Sequence, residues 1–226
     1  RAAGLNYPDS LIVQGLYQFK PDLPFSPGHE GAGIVSSVGS EVSSFRVGDS
    51  VAFFKGFGAF AEKIAVPESL AFPIPSSFSH HVAAGVFMAY GTSLHALLQR
   101  ANINEKDEVL VLGAAGGVGL AAVDLAKAYE ARVVAAVSTK EKAGVCVRYG
   151  AEDVVVYGEK SLNKDAQKSF TKKLKSKSVR GRYSIIYDPV GDCFAEPALR
   201  SIGWGGTYLV VGFAAGKIPF FPANLM

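Results

Sequence analysis

The sequence predicts an α/β protein in which a doubly wound parallel sheet follows a smaller β domain. Three observations predict it. Strand-like and helix-like segments alternate from Glu108 onward; residues 1 to about 75 are short β-like runs separated by Gly, Pro and Ser; and a glycine-rich turn joins the first alternating strand to its helix.

In chain order, the β-like part offers candidate strands at 33–38, 49–54 and 59–66, with turn signals at Gly39-Ser40, Val47-Gly48-Asp49 and Gly56-Phe57-Gly58. This spacing suggests an irregular barrel or sandwich. Pro67, Pro73 and Pro75 mark a boundary segment, and the domains are expected to divide into 1–78 and 79–226. Residues 79–99 carry Val82, Val86, Ala89, Tyr90, Leu94, Leu97 and Leu98 at helical spacing, which predicts a connector helix. Beyond it, wholly apolar or β-branched runs at 109–112, 132–137, 153–157, 183–187 and 207–213 predict strands of a parallel sheet buried on both faces. The segment 160–182, with Lys168, Lys172, Lys173, Lys175, Lys177, Arg180 and Arg182, reads as a solvated basic helix.

Composition narrows the function classes. The chain has 226 residues, 49% of them hydrophobic and 19% charged, and a net charge of +3. That charge does not argue for nucleic acid, which is not expected as a partner, and no apolar run approaches a membrane span. Cys146 and Cys193 lie far apart and match no C-x-x-C pattern, so neither a disulfide framework nor a cysteine zinc site is indicated and a reducing, cytoplasmic setting is the default. Because the chain opens on Arg1 and stops inside the apolar run PFFPANLM, it is expected to be a fragment, and targeting is left open.

The glycine turn carries the chemistry. In Gly113-Ala-Ala-Gly-Gly-Val-Gly119, the missing β-carbons of Gly116 and Gly117 let backbone come close to a pyrophosphate, and Gly119 lets the helix pack on the strand. Ala115, Gly116, Gly117 and Val118 are the candidate contacts, with the phosphates on the helix N-terminus. The strict G-x-G-x-x-G pattern is broken by Ala114, but the strand before it and the helix and strand after it supply the context the motif needs. A site for NAD usually ends the second strand on Asp or Glu; this one ends Val137-Ser138-Thr139-Lys140, with Glu141 and Lys142 next. Hydroxyls and ammonium groups suit a 2′-phosphate, so NADPH is the expected cofactor, against the alternative that Lys140 and Lys142 are ordinary solvated side chains. If the first and fourth strands are neighbours, the loop 188–191 faces the cofactor too, with Val211, Gly212 and Phe213 close by.

Taken together, GLNYPDSLIVQGLY (4–17), PFSPGHEGAGIVSSVG (24–39), VGDSV (47–51), the GAAGGVG loop, YDPVGD (187–192) and VVGFAAGKIP (210–219) resemble the zinc-independent, zeta-crystallin-like quinone oxidoreductases of the medium-chain dehydrogenase/reductase superfamily. The resemblance covers nearly the whole chain. It implies a GroES-like N-terminal domain, a Rossmann-type NADPH domain, and a closing C-terminal segment that this chain lacks. It also implies a homodimer or homotetramer. Asn6 and Thr92 are then expected near the nicotinamide and its ribose, Lys142 and Tyr157 at the adenosine 2′-phosphate, and Tyr17 on the substrate side, polarising a carbonyl or forming an aromatic wall.

Zinc is not expected. His29 sits in the GHE sequence that zinc-bearing alcohol dehydrogenases use, but Asn6 stands where they place a first cysteine, 85–91 holds no second, and one ligand cannot hold the ion. His29 is read as a buried or hydrogen-bonded residue, and Asp9 as a turn cap or a brace for that loop. The implied activity is NADPH-dependent reduction of a quinone or related conjugated carbonyl. The alternatives are an enoyl-thioester or 2-alkenal reductase, and an NADPH-binding adaptor without turnover.

Overall fold

The computed structural model describes residues 1–158 and 161–225. Lys160, part of the basic stretch, lies outside the described residues. By internal packing the chain divides into two compact units, Arg1–Gly91 and the residues from Thr92 onward. The division falls inside the segment expected as one connector helix, beyond the expected boundary at 78/79.

The first unit is built on a four-stranded antiparallel sheet, β1 (Ala2–Gly4), β2 (Glu30–Ile34), β3 (Ser50–Phe54) and β4 (Ala71–Pro73), in that order, with helix α1 (Tyr7–Val13) between β1 and β2. Small residues decide its packing. Ala32 and Ala52 meet Ala83 and Ala84 in a core where helix α2 (His80–Ala83) lies on β1 and β2. Ser79 caps α2 by accepting from the Val82 N–H at 3.3 Å, and the unit closes on a wide, π-type turn at Phe87–Gly91. The segment 59–66 is not a strand. Ala59 and Phe60 donate to the carbonyls of Gly28 and Pro27 at 3.1 and 2.9 Å, which ties the chain to the approach to β2 and leaves the ladder position beside β3 to β4.

The second unit opens with α3 (Thr92–Leu94) and a second π-type turn, His95–Arg100. Strands and helices then alternate: β5 (Glu108–Leu112), α4 (Gly117–Ala128), β6 (Arg132–Val137), α5 (Lys140–Arg148), β7 (Asp153–Val156), α6 (Lys164–Lys177), β8 (Tyr183–Asp188), α7 (Ala195–Leu199) and β9 (Ile202–Val210). The sheet is parallel throughout with order β7-β6-β5-β8-β9, so the direction of winding reverses between β5 and β8. This is the doubly wound, Rossmann-type arrangement the sequence predicts.

Two cores explain the unbroken apolar strands. Val109 and Val111 pack with Leu97, Ala122, Val123 and Ala126 on one face, and Leu110 and Leu112 with Phe170, Leu174 and Ala198 on the other. Strand β9 starts earlier than its apolar run, since its register against β8 shifts between Tyr183 and Ile185 and Gly205, at φ 71°, takes up the irregularity. The basic helix α6 buries Phe170 and Leu174 and turns most of its lysines outward. No helix among the described residues is long and apolar enough to cross a membrane.

At the N-terminal ends of the strands, Arg132 bonds Glu108 at 3.1 Å, Glu152 at 2.8 Å and Asp153 at 2.6 Å, joining β5, β6 and β7. Lys177 reaches Asp153 at 2.8 Å, and it and Arg132 hold the Asp153 carboxyl below the ordinary range.

The tightest point of the unit is where β5 turns into α4. A β-carbon on Gly119 would overlap the Gly113 carbonyl oxygen and stand 2.9 Å from the Ala114 Cα, all of it backbone that cannot swing aside. A β-carbon on Gly117 would meet no protein atom within 4 Å. Gly119→Ala should therefore destabilise the protein by about 1–3 kcal/mol while Gly117→Ala stays within about 0.5 kcal/mol of wild type, as read by denaturant unfolding.

Candidate dinucleotide site

The site begins where β5 ends. Gly113 adopts a left-handed φ of 55°, and a β-carbon there would stand 2.8 Å from Val190 Cγ2, so the turn also needs glycine to admit the loop after β8. The Gly116 N–H closes the turn on the Gly113 carbonyl at 2.9 Å, and Leu120 starts the helix by donating to Gly116 at 2.7 Å. No side chain caps α4, whose N-cap is Gly116, and Gly116 and Gly117 are exposed while Ala115 and Val118 are half-buried. An uncapped, glycine-lined helix start presents N–H donors and the positive end of the helix dipole to whatever occupies the space above it. That donor set suits an anion.

One residue beneath this turn escapes sequence reasoning. Ser93, fully buried on α3, donates its hydroxyl hydrogen to the Val118 carbonyl at 2.8 Å, and its oxygen lies 2.8 Å from the Tyr187 hydroxyl. A serine has one hydrogen to give, so Tyr187 supplies the second. Burial pushes the Tyr187 phenol up to about 12, with the Ser93 bond opposing it. This link fixes α3, and with it the half-buried Thr92, against the start of α4. Its only local signal was a polar residue in an apolar helical run.

At the end of β6, the Lys142 ammonium donates to the Ser138 hydroxyl at 3.0 Å, and Thr139 caps α5 by accepting from the Lys142 N–H at 3.3 Å. Glu141, the nearest carboxylate in sequence, is turned back on its own helix start, where its backbone N–H and the Thr139 hydroxyl keep its carboxyl below the ordinary range. A cation and two hydroxyls thus share the strand end, with the Glu141 carboxylate held on the Thr139 hydroxyl beside them. Tyr157, just past β7, packs its ring on Phe194 at 4.8 Å and Phe170 at 5.7 Å, and burial raises its phenol.

The loops after β8 and β9 meet each other. Val211 and Gly212 donate to the Asp188 carbonyl at 2.9 and 3.3 Å, and a β-carbon on Gly191, at φ 68°, would stand 3.0 Å from the Phe213 ring. The N–H groups of Val211 and Gly212 are therefore committed within the protein. The structure brings together 113–119, 188–191 and 211–213 at the C-terminal ends of β5, β8 and β9.

In the first unit, Asn6 donates its side-chain amide to Glu30 at 2.7 Å and its backbone N–H to Asp9 at 2.7 Å. Glu30, 1% exposed, also accepts from the Met88 N–H at 3.0 Å. Asp9 both caps α1 and braces the loop: it meets His29 Nδ1 at 2.7 Å and accepts from the Gly28 N–H at 3.2 Å. Tyr17 meets the His29 ring edge-on at 6.4 Å, with Phe54 stacked on the same imidazole at 6.4 Å. Glu30 had no role in the sequence reading, and the link that gives it one spans 24 positions.

Residues 1–76 match the family described as alcohol dehydrogenase GroES-like domain, and residues 117–226 match the family described as zinc-binding dehydrogenase. The chain is 38% identical to rat quinone oxidoreductase-like protein 2 over 99% of its own length and 62% of the relative's. It is 30% identical to rat quinone oxidoreductase, covering 100% of this chain and 66% of the relative. The crystal structure of Escherichia coli quinone oxidoreductase complexed with NADPH superposes with a TM-score of 0.86 at 31% identity, covering 100% of this chain and 67% of that one. The chain thus spans about three fifths of the length of the quinone oxidoreductase-like relative, 62%.

The zinc in one family's description does not fit the residues found here. The Asn6 amide is committed to Glu30, and among the described residues no group of three or more His, Cys, Asp or Glu is placed to hold a metal ion. The GroES-like unit and the doubly wound sheet match the quinone oxidoreductases over the whole of this chain, and the chain belongs to that family of the medium-chain dehydrogenase/reductase superfamily.

Proposed function

We propose that this chain binds NADPH on its second unit and serves a metal-independent oxidoreductase that reduces quinones or related conjugated carbonyls. The observation that carries the cofactor choice is the Lys142 ammonium resting on Ser138 at 3.0 Å, at the strand end where an NAD site would hold a carboxylate. The names of the relatives support the substrate class, and the Escherichia coli structure in complex with NADPH supports the cofactor.

In this reading the pyrophosphate lies on the uncapped start of α4, held by Ala115, Gly116, Gly117 and Val118, and the 2′-phosphate lies at Ser138 and Lys142 with Tyr157 beside it. Asn6 and Thr92 contact the nicotinamide and its ribose, and Val211, Gly212 and Phe213 frame the same half of the cofactor. The cofactor, when bound, would supply the reducing equivalents. Tyr17 faces the substrate, where its hydroxyl offers a hydrogen bond to the oxygen on which charge develops. Asp9 and Glu30 hold His29 and Asn6 in place from beneath. The active protein is a homodimer or homotetramer.

Replacing Lys142 by Ala should weaken NADPH by about 10- to 100-fold, the worth of one charged hydrogen bond to phosphate, and leave NADH within about twofold. Equal losses for both cofactors in a fluorescence titration would remove Lys142 from the phosphate site. Gly117→Val should abolish binding of either cofactor, because its branched side chain fills the space over the helix start; an unchanged titration would refute the placement. Turnover of the intact protein with NADPH on a panel of quinones and enones should favour the quinones, and preference for enoyl thioesters would reassign the substrate.

A further inference from the structure

Asp188 closes strand β8 and has no place in the reading above. It is 1% exposed, and its carboxylate is fully engaged. Oδ1 accepts the N–H groups of Val190 at 2.8 Å and Gly191 at 2.9 Å, while Oδ2 accepts the Tyr208 hydroxyl at 2.7 Å. Burial raises this carboxyl above the ordinary range against the pull of those three donors, and no cation among the described residues pairs with it. The main-chain carbonyl of the same residue takes the Val211 and Gly212 N–H groups. One residue thus holds the loop after β8 with its side chain and the loop after β9 with its backbone.

The two loops behave as one platform. Ala214 donates to the Pro189 carbonyl at 3.0 Å and Ala215 to Val190 at 2.9 Å, and a β-carbon on Gly212 would stand 3.3 Å from the Pro189 oxygen. The order of the sheet says which part of a dinucleotide lies above it. With the diphosphate over the end of β5 and the 2′-phosphate at Ser138 and Lys142 after β6, the rest of the cofactor extends to the other side of β5, over β8 and β9.

We propose that Asp188 is a positioning residue for the nicotinamide half of the cofactor: it clamps 189–191 and 211–213 into the one arrangement that half rests on, without touching the adenosine half. This rests on the cofactor reading given above. A buried acceptor with three donors aimed at it leaves those donors unpaired when it is removed, and the loops they belong to must move to find water. Asparagine keeps the Oδ1 acceptor for both N–H groups and can donate to Tyr208, so it should preserve the clamp.

The test compares two ligands on the intact protein by calorimetry, NADPH for the whole cofactor and adenosine 2′,5′-bisphosphate for the half that Asp188 does not serve. Asp188→Ala should weaken NADPH by about tenfold or more and leave the bisphosphate within about twofold, while Asp188→Asn stays within about threefold of wild type for both. Tyr208→Phe, which leaves both N–H bonds intact, should change NADPH by less than about threefold. Unchanged NADPH affinity in Asp188→Ala, or equal loss of both ligands, would overturn the clamp. If Asp188→Ala does not fold, Asp188→Asn decides: a tenfold loss confined to NADPH would show that the charge itself matters and overturn the clamp as described. Failure of the wild-type protein to bind either ligand would instead overturn the cofactor reading, and this inference with it.

Discussion

The backbone of Gly119 lies against the Gly113 carbonyl so closely that a single methyl group would overlap it, and that approach sets where α4 begins relative to β5. Because the helix starts that close to the strand end, its first N–H groups face the space above the sheet and meet no capping side chain. Everything else at that end adapts to this. Gly113 takes a left-handed φ so that Val190 can pack on it, Ser93 bonds the carbonyl of Val118 from below, and the loops after β8 and β9 lock to each other beside it. An open anion-binding helix start is costly in unpaired donors. It persists because the packing beneath is backbone on backbone, which a small rearrangement cannot relieve.

The features legible in the sequence are those with a local signature. The glycine turn between β5 and α4 and the apolar runs of β5 and β6 are each contained within a few residues, and the fold places a turn, a helix start and two buried strands there. The neighbouring of β5 and β8, expected from the sequence only if the strands take the usual order for this architecture, is present in the fold. The failures share a cause as well. The run 59–66 has the alternation of a strand, yet its first N–H groups find carbonyls at Gly28 and Pro27, a long-range choice that no periodicity records. Strand β9 begins before its apolar stretch because glycines at 203, 205 and 206 accommodate an irregular pairing with β8.

The candidate site divides in the same way. Ser138 and Lys142, proposed for the 2′-phosphate, were legible as candidates because they follow an apolar, strand-like run. Ser93, Glu30 and Asp188 could not be assigned roles, since each acts through buried hydrogen bonds to partners that only the fold brings near. The pattern is physical: a residue that touches a ligand sits on a loop with a recognisable motif, whereas a residue that holds such a loop in place is chosen for one unsatisfied donor or acceptor elsewhere in the chain. Tyr17 lies between these cases, near His29 by ring contact and, among the described residues, without a hydrogen-bonding neighbour that would define its chemistry.

The two ends of the parallel sheet are treated differently, and the difference bears on how the site can stay open. At the N-terminal ends of β5, β6 and β7 the charges are paired: Arg132 meets Glu108, Glu152 and Asp153, and Lys177 meets Asp153. Partly exposed pairs of this kind contribute little singly, but a planar guanidinium on β6 shared between carboxylates of β5 and the start of β7 fixes the relative height of the three strands. At the C-terminal ends the buried carboxylate, Asp188, is held by neutral donors alone among the described residues, and Lys142 rests on a hydroxyl. Neutral donors restrain the loop after β8 without adding positive charge there, so in the proposed cofactor reading the start of α4 and Lys142 are the groups left to hold phosphates.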